Sequence, residues 1–268
     1  MRRKFKHFLQ LLIVIAIIHI TNGYTLGKNI EFKEYDYYNE NIPENLNGLK
    51  IAFITDTHEL YDSDAKKIVE KLNSENIDIL LLGGDYNDSS KQARQDIKKL
   101  SKIKTSLGIY GTDGNHDNFD NISKTMEDNG ITQLANTGLE VADGLYLSGV
   151  VDLWKKSPNV QKAIQGRKKD DFVILLSHNP DIVMSDEIKG VDLTFSGHIH
   201  GGHITIFGLI KPTLRSVTKH PLFFNNSNKI LTSPYGSDII VSNGTGQNKT
   251  YPRIFARPQV CIVTLYNQ

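Results

Sequence analysis

The sequence VDLTFSGHIHGGH, at residues 191–203, joins an apolar run to a glycine-rich loop that carries histidines. The apolar run is typical of a strand, and the glycines predict a tight, exposed loop after it. Glycine lets the backbone bend sharply and approach a ligand closely. His198 and His200 lie in this loop, and imidazole is the commonest nitrogen ligand of transition metals. A hairpin turn that happens to carry histidines is the alternative, so a metal site requires further ligands from elsewhere in the chain.

The same strand-and-loop pattern occurs three times in the first half of the chain. Apolar runs at residues 49–54, 77–82 and 107–110 each end in polar residues, and helical spacing predicts helices over residues 63–75 and around residues 93–103. Fully apolar strands that alternate with helices form a sheet covered on both faces. The carboxyl ends of such strands meet at one rim, where sites form. The pattern therefore predicts an α/β fold with its site at the strand carboxyl ends.

Further strands are predicted on both sides of this repeat. Alternating apolar residues predict a first strand over residues 30–38, at an edge of the sheet. Residues 203–268 read as strand-rich. Outside the repeat, apolar runs predict strands at residues 146–151, 172–176, 239–241 and 260–265. The recurring strands and helices do not share a repeated sequence, and no linker divides the chain. Residues 24–268 are therefore expected to form one domain.

Composition excludes some classes of protein. The formal net charge of +1 argues against a dedicated nucleic-acid binder, which usually carries a basic excess. Apolar residues make up 39% and charged residues 23%, which is ordinary for a globular domain. Cys261 is the only cysteine, so the chain has no internal disulfide and no thiolate-built metal site.

Residues 1–23 are expected to lie outside the fold. A basic head precedes an apolar run at residues 8–20, and small residues follow, as in a secretory signal peptide or an uncleaved signal anchor. The run is shorter than the roughly 20 residues of a comfortable spanning helix. A buried helix is less favoured because the run has no polar face. With the positive end inside, the domain would be membrane-anchored or exported, outside the cytoplasm.

Five successive strand ends carry residues that can bind a metal. Asp and Asn are common in turns for backbone reasons alone, but all five ends carrying ligand types would be an unlikely accident. The set is mixed nitrogen and oxygen without sulfur, which suits manganese, iron or zinc. The residues are Asp56, His58, Asp85, Asn115, His116, His178, His198 and His200.

The ordered motifs Asp-x-His, Gly-Asp-x-x-Asp, Gly-Asn-His-Asp, a solitary His and Gly-His-x-His resemble those of the calcineurin-like metallophosphoesterases. All five are present, between residues 50 and 203. The resemblance implies a four-layer β-sandwich flanked by helices, with two divalent metal ions that activate a water for in-line attack on phosphorus. It assigns Asp56, His58, Asp85 and His200 to one metal. It assigns Asp85, Asn115, His178 and His198 to the other, with Asp85 bridging.

Two residues beside the ligands are given catalytic roles by the same resemblance. His116 would lie beside the leaving-group oxygen as an acid or as a stabiliser of the transition state. Asp88 would orient His116 and keep it protonated, although a surface turn residue is the alternative. His203 stands where the family usually has glutamine and is a candidate to face the substrate. A carboxylate at a helix N-terminus is an adequate explanation of Asp117.

The leading hypothesis is a binuclear-metal-dependent hydrolase of phosphoric esters, either phosphodiesters or phosphomonoesters, acting outside the cytoplasm. Three segments resemble a membrane- or wall-associated bacterial branch of this family: the apolar head, the block at residues 177–181 and the closing Arg253-x-x-x-Arg257-Pro258. That branch includes enzymes similar to UDP-2,3-diacylglucosamine pyrophosphatases. The alternatives are a pyrophosphatase acting on a lipid-linked or nucleotide-linked sugar at the membrane, and a non-catalytic wall-bound module. The expected partners are a phosphate-ester substrate and the membrane or wall, which the N-terminal segment would contact. The protein is expected to be a monomer.

Overall fold

The computed structural model describes residues 2–58, 60–87, 89–117, 122–154, 157–224, 229–246 and 252–268. The helices in this part of the chain are α1 (Arg2–Tyr24), α2 (Asp62–Asn73), α3 (Ser90–Leu100), α4 (Ile122–Glu127), α5 (Val160–Ala163) and α6 (Leu214–Val217). The strands are β1 (Glu31–Tyr38), β2 (Lys50–Ile54), β3 (Ile79–Leu82), β4 (Gly108–Gly111), β5 (Ile131–Gln133), β6 (Thr137–Ala142), β7 (Leu145–Gly149), β8 (Phe172–Leu176), β9 (Leu193–Ser196), β10 (Ile230–Thr232), β11 (Asp238–Val241) and β12 (Gln259–Tyr266).

Two mixed sheets face each other across a shared core. The first has the strand order β1-β12-β2-β3-β4-β5, and the second has the order β10-β11-β9-β8-β7-β6. Phe53 of the first sheet packs edge-on against Phe195 of the second, with ring centroids 5.4 Å apart. Helices α2, α3 and α4 cover the outer face of the first sheet, and α5 and α6 pack on the outer face of the second. The predicted four-layer α/β architecture is confirmed.

Strand β2 shows why the four residues after Lys50 are all apolar. Ile51 and Phe53 point into the core between the sheets, whereas Ala52 and Ile54 point into the core under the helices. Successive side chains of a strand face opposite sides, so a strand covered on both sides has no exposed position for a polar residue.

Strand directions bring the loops of the repeat to one edge. Strands β2, β3, β4 and β5 run parallel, as do β7, β8, β9 and β11. We call the edge at which β2, β3, β4, β8 and β9 end the ligand rim. Strand β12 runs antiparallel to β2 and parallel to β1, with Glu31 opposite Gln259. The first residue of β1 therefore lies at the ligand rim, and Tyr38 lies at the opposite edge.

The predicted strands are found, most of them within two residues of the predicted bounds, and β1 is at a sheet edge as expected. The expectation of a strand-rich region over residues 203–268 is wrong for its first part. Residues 203–224 form bends, the short helix α6 and a single turn of 3-10 helix. The apolar residues at 204–210 have strand-like composition, but they make only isolated β-bridges and are mostly exposed. Composition favoured a strand here, but among the described residues only these isolated bridges pair with it.

Helix α1 stands largely free of the domain. Its apolar side chains are exposed along most of its length, while its last turns contact the domain. The amide N–H of Phe255 donates to Oδ1 of Asn22 over 2.8 Å, and the His19 ring lies edge-on to that of Phe255. A membrane span is feasible by length and composition, because the helix extends beyond the apolar run at residues 8–20 at both ends.

Candidate metal centre

Six of the predicted ligands form two groups at the ligand rim. Within each group, the potential ligand atoms lie within 4.8 Å of one another. The first group comes from the β2 loop and the loop after β9. The second comes from the loops after β3, β8 and β9. The first group contains Asp56, His58 and His200, and the second contains Asp85, His178 and His198.

Asp85 lies between the two groups. Its Oδ2 is 3.6 Å from Nε2 of His58 and 3.2 Å from Nε2 of His178. Oδ1 of Asn115 is 3.1 Å from the same His178 nitrogen, which places this predicted ligand in the second group. A single carboxylate that touches donors of both groups has the position expected of a residue shared by two cations.

Backbone carbonyls fix which nitrogen of two histidines faces the centre. Nδ1 of His178 lies 2.8 Å from the carbonyl oxygen of Gly83, and Nε2 of His198 lies 3.2 Å from that of Val217. A ring nitrogen that donates to a carbonyl carries the proton, which leaves the other nitrogen as the electron-pair donor. Nε2 of His178 and Nδ1 of His198 are left, and they face each other over 3.2 Å.

The backbone is strained at the ligands. Five of the ten described non-glycine residues with positive φ are candidate ligands: Asp56, His58, Asp85, His198 and His200. Such conformations cost free energy and cluster at functional sites, where the surrounding structure enforces them. Gly197 shows the accompanying steric demand, since a Cβ there would collide with the Asp56 carboxylate and the Thr55 hydroxyl. Because Gly197 has no side chain, it leaves room for the Asp56 carboxylate of the first group.

The charges at the centre favour bound cations. Burial lowers the pKa of His198 to about 3, and burial together with the Arg253 guanidinium lowers the pKa of His200 well below its usual value. Both imidazoles are therefore neutral, as metal ligation requires. Burial opposes the charge on His178, but the Asp85 and Asp56 carboxylates raise its pKa well above the ordinary value. Without metal, a proton on Nε2 of His178 balances the buried carboxylates; a divalent cation would displace that proton and leave Nε2 as the electron-pair donor.

The donor set fits divalent ions of the manganese, iron and zinc type. Each ligand group combines imidazole nitrogens with a carboxylate. The one thiol of the chain, that of Cys261, is buried in the core between the sheets and takes no part. This combination suits borderline and moderately hard cations better than copper(I). The structure thus contains two candidate metal sites.

A sequence profile of the calcineurin-like phosphoesterases matches residues 49–202, which is more than half of the chain. The chain belongs to this family. The matched region begins just before β2 and ends at the glycines after His200, so it contains every candidate ligand. Membership supports an enzyme that hydrolyses phosphoric esters, with a metal centre that is typically binuclear in the family.

Curated relatives carry matching descriptions. An uncharacterized metallophosphoesterase of Helicobacter pylori is 29% identical over 91% of this chain and 67% of the relative. A Danio rerio transmembrane protein with a metallophosphoesterase domain is 25% identical over 97% of this chain and 63% of the relative. The uncharacterized metallophosphoesterase YkuE of Bacillus subtilis is 28% identical over 88% of this chain and 85% of the relative. The chain thus spans about two thirds of the length of the first two relatives.

The other predicted site residues of this phosphoesterase have different placements. The backbone N–H of His116 donates to Oδ1 of Asp85 over 2.8 Å, and its exposed ring lies 5.2 Å from that of His58 at the mouth of the centre. His203 is partly buried, with its ring centroid 6.2 Å from that of His200. Asp88 lies outside the described residues.

Sequence reasoning missed the roles of two residues near the ligands. Arg253 is fully buried, donates to the carbonyl oxygens of Asn243 and Gly246, and places Nη2 3.2 Å from Nδ1 of His200. The Trp154 indole and the His198 ring pack nearly perpendicular to each other, with centroids 4.3 Å apart, and half of Trp154 is exposed. The closing arginine motif was a visible signal for Arg253. Trp154 offered none beyond being the only tryptophan.

Asp117 is more than a helix N-terminal carboxylate. It is buried and accepts three backbone N–H bonds, from Asp85, Tyr86 and Gly114, which tie the loop after β3 to the loop after β4. Burial, reinforced by the Asp85 carboxylate, raises its pKa to about 7. Its oxygens therefore hold the backbone that presents Asp85 and Asn115.

Replacing Asp117 by asparagine should weaken metal binding. The amide group would place a donor against a backbone donor, so the loop that carries Asp85 would shift. Loss of a residue that supports a ligand costs about 10- to 100-fold in metal affinity. Titration of chelator-treated protein with Mn²⁺ measures this loss. Asp171→Asn is the matched control, because Asp171 also accepts a backbone N–H, from Lys168, before β8 at the opposite edge. Equal affinities in both variants would contradict the role of Asp117.

Proposed function

We propose that this protein is a binuclear-metal-dependent hydrolase of phosphodiesters or phosphomonoesters, anchored by α1 with its catalytic domain outside the cytoplasm. The observation that carries the proposal is Asp85, whose carboxylate touches imidazole donors of both ligand groups. An isolated metal site would need only one such group. A non-catalytic module would not need to keep both groups together with His116.

In this proposal, Asp56, His58, Asp85 and His200 would hold the first metal. Asp85, Asn115, His178 and His198 would hold the second. Divalent cations bound there would supply Lewis-acid polarisation of the phosphoryl group and activation of a water for attack.

The protein's own groups prepare this chemistry. The carbonyl oxygens of Gly83 and Val217 orient the rings of His178 and His198. The Arg253 guanidinium orients the His200 ring through the contact between Nη2 and Nδ1. His116 stands at the mouth with its ring exposed, so it can donate a proton to a leaving-group oxygen that arrives from solvent. His203, beside His200, is proposed to face the substrate.

The anchoring part of the proposal is supported by α1. The basic residues Arg2, Arg3, Lys4 and Lys6 precede its apolar part, and positively charged flanks stay in the cytoplasm. The domain would then lie on the other side of the membrane. A relative from Danio rerio is described as a transmembrane protein, which agrees with a membrane span.

A metal and substrate panel on detergent-solubilised full-length protein tests the function. Chelation should abolish hydrolysis of an activated phosphodiester, and adding back Mn²⁺, Fe²⁺ or Zn²⁺ one at a time should restore it. Comparing an activated diester with the corresponding monoester then defines the preferred ester. Hydrolysis that survives complete metal removal would overturn the proposal.

A second candidate is a pyrophosphatase acting on a lipid-linked or nucleotide-linked sugar at the membrane. The position of β1 favours it: the chain leaves α1 and enters β1 at the ligand rim, so the anchor and the candidate metal centre share one edge. A nucleotide-linked glycolipid added to the same panel separates the two candidates. Faster turnover of this substrate than of soluble diesters would favour the pyrophosphatase.

A further inference from the structure

The loop after the histidine motif exposes a series of large apolar side chains. We call residues 204–210 the apolar loop. Soluble surfaces carry scattered apolar residues, whereas a contiguous exposed group indicates contact with a partner or a membrane. The exposed fractions are 40% for Ile204, 45% for Ile206, 42% for Phe207, 76% for Leu209 and 59% for Ile210.

The apolar loop has a defined conformation. The N–H of Thr205 donates to the carbonyl oxygen of Ile254 over 3.0 Å, and the N–H of Ile206 donates to that of Ile210 over 2.8 Å. The Thr205 hydroxyl accepts from the N–H of Gly208 over 2.9 Å. These bonds satisfy the backbone inside the loop while its apolar side chains point outward. The exposure is therefore a property of an ordered loop.

The apolar loop is continuous with the end of α1. The His19 ring packs edge-on against Phe207, with ring centroids 4.5 Å apart, and also contacts Phe255 beside it. Leu26 is 47% exposed and Tyr24 is 61% exposed just below the apolar stretch of the helix. Lys28 lies 5.0 Å from the centroid of the Tyr24 ring. Tyrosine and lysine at the end of an apolar helix are typical of the membrane–water interface.

A groove with one exposed cation lies beside the apolar loop. Its volume is about 470 Å³, and its apolar walls adjoin the exposed Arg215, whereas Lys211 is only 8% exposed. It is lined by Leu209, Ile210, Lys211, Pro212, Arg215 and Phe224. A surface that combines protruding apolar side chains with an exposed arginine matches the interface of a bilayer containing anionic lipids.

We propose that the apolar loop inserts into the bilayer interface beside α1, so that the candidate metal centre opens toward lipid headgroups. The occupant is the lipid bilayer, because the loop continues the apolar surface of α1 and the exposed Arg215 lies in the neighbouring groove. The proposal rests on the proposed anchoring of α1 and adds a second point of membrane contact. A substrate phosphate at headgroup level would then reach the ligand rim without leaving the membrane.

Lipid-borne quenching of a site-specific fluorophore tests this contact. Single cysteines replace Leu209 in the apolar loop, Ile13 in the middle of α1 and Tyr38, which is 55% exposed. Strand β1 carries the chain about 23 Å from the ligand rim before Tyr38, at roughly 3.3 Å per residue. Cys261 is buried, so the native chain serves as the unlabelled control. Full-length variants are reconstituted in vesicles of phosphatidylcholine and phosphatidylglycerol.

Nitroxides attached to lipids should strongly quench the labels at Ile13→Cys and Leu209→Cys and leave the label at Tyr38→Cys unchanged. Quenching at Ile13→Cys without quenching at Leu209→Cys would overturn the contact of the apolar loop and preserve the anchor. A label at Leu209→Cys that is shielded from water but unaffected by lipid nitroxides would mean that a second protein copy covers the loop. An unquenched label at Ile13→Cys would overturn the anchoring and this inference together, whereas failure of hydrolysis alone would leave the quenching pattern intact.

Discussion

Replacing Asp85 by asparagine should reduce kcat/KM for metal-dependent phosphodiester hydrolysis by about a thousandfold, equivalent to roughly 4 kcal/mol of transition-state stabilisation. The carboxylate lies 3.6 Å and 3.2 Å from imidazole nitrogens of the two ligand groups. A neutral amide keeps the shape of the side chain but removes the negative charge that two cations would share. Both turnover and metal content should therefore fall together.

Steady-state kinetics and elemental analysis of the same preparation check this expectation. Asp36→Asn is the matched control, because Asp36 is an exposed carboxylate near the end of β1 that lies away from the ligand rim. Its kinetics and metal content should match those of the native protein. Normal turnover of the Asp85→Asn variant would disprove the shared-ligand role. A normal far-UV circular dichroism spectrum would show that the loss is local to the centre.

Replacing His116 by alanine should lower kcat by a hundredfold or more while leaving metal content unchanged. General acids contribute about 10²- to 10⁴-fold to catalysis. The His116 ring is exposed at the mouth, and its backbone N–H donates to Oδ1 of Asp85, so replacing the side chain by alanine keeps that bond and removes no proposed ligand. The loss should be larger for an alkyl leaving group than for a nitrophenolate, because a poor leaving group depends more on protonation.

The comparison of leaving groups distinguishes proton donation from other roles of His116. Equal losses for both leaving groups would indicate that His116 stabilises charge without donating a proton. His220→Ala is the control, because that histidine lies after α6 and is not part of either ligand group. No loss of kcat in the His116→Ala variant would contradict its proposed role.

Much of the fold was predictable because burial leaves a clear pattern in the sequence. Strands such as β3 and β8 are covered on both faces and must be apolar at every position. The short loops after them expose polar residues at one rim because parallel strands end together. Residues 203–224 were harder to predict, since a loop with strand-like apolar residues is distinguished from a strand only by the absence of a neighbour to pair with.

The sequence by itself determined the class of the site: the order and spacing of the aspartates and histidines were sufficient to identify the family and the candidate ligands. Only the tertiary structure decided how these residues share the centre. The position of Asp85 between two groups, the three N–H bonds to Asp117 and the contact of Arg253 with His200 join segments that lie far apart in sequence. The physical reason is that strand direction and sheet order set such contacts, and neither is encoded in local spacing. The same holds for the shared edge of α1 and the ligand rim, which follows from the antiparallel pairing of β12 with β2.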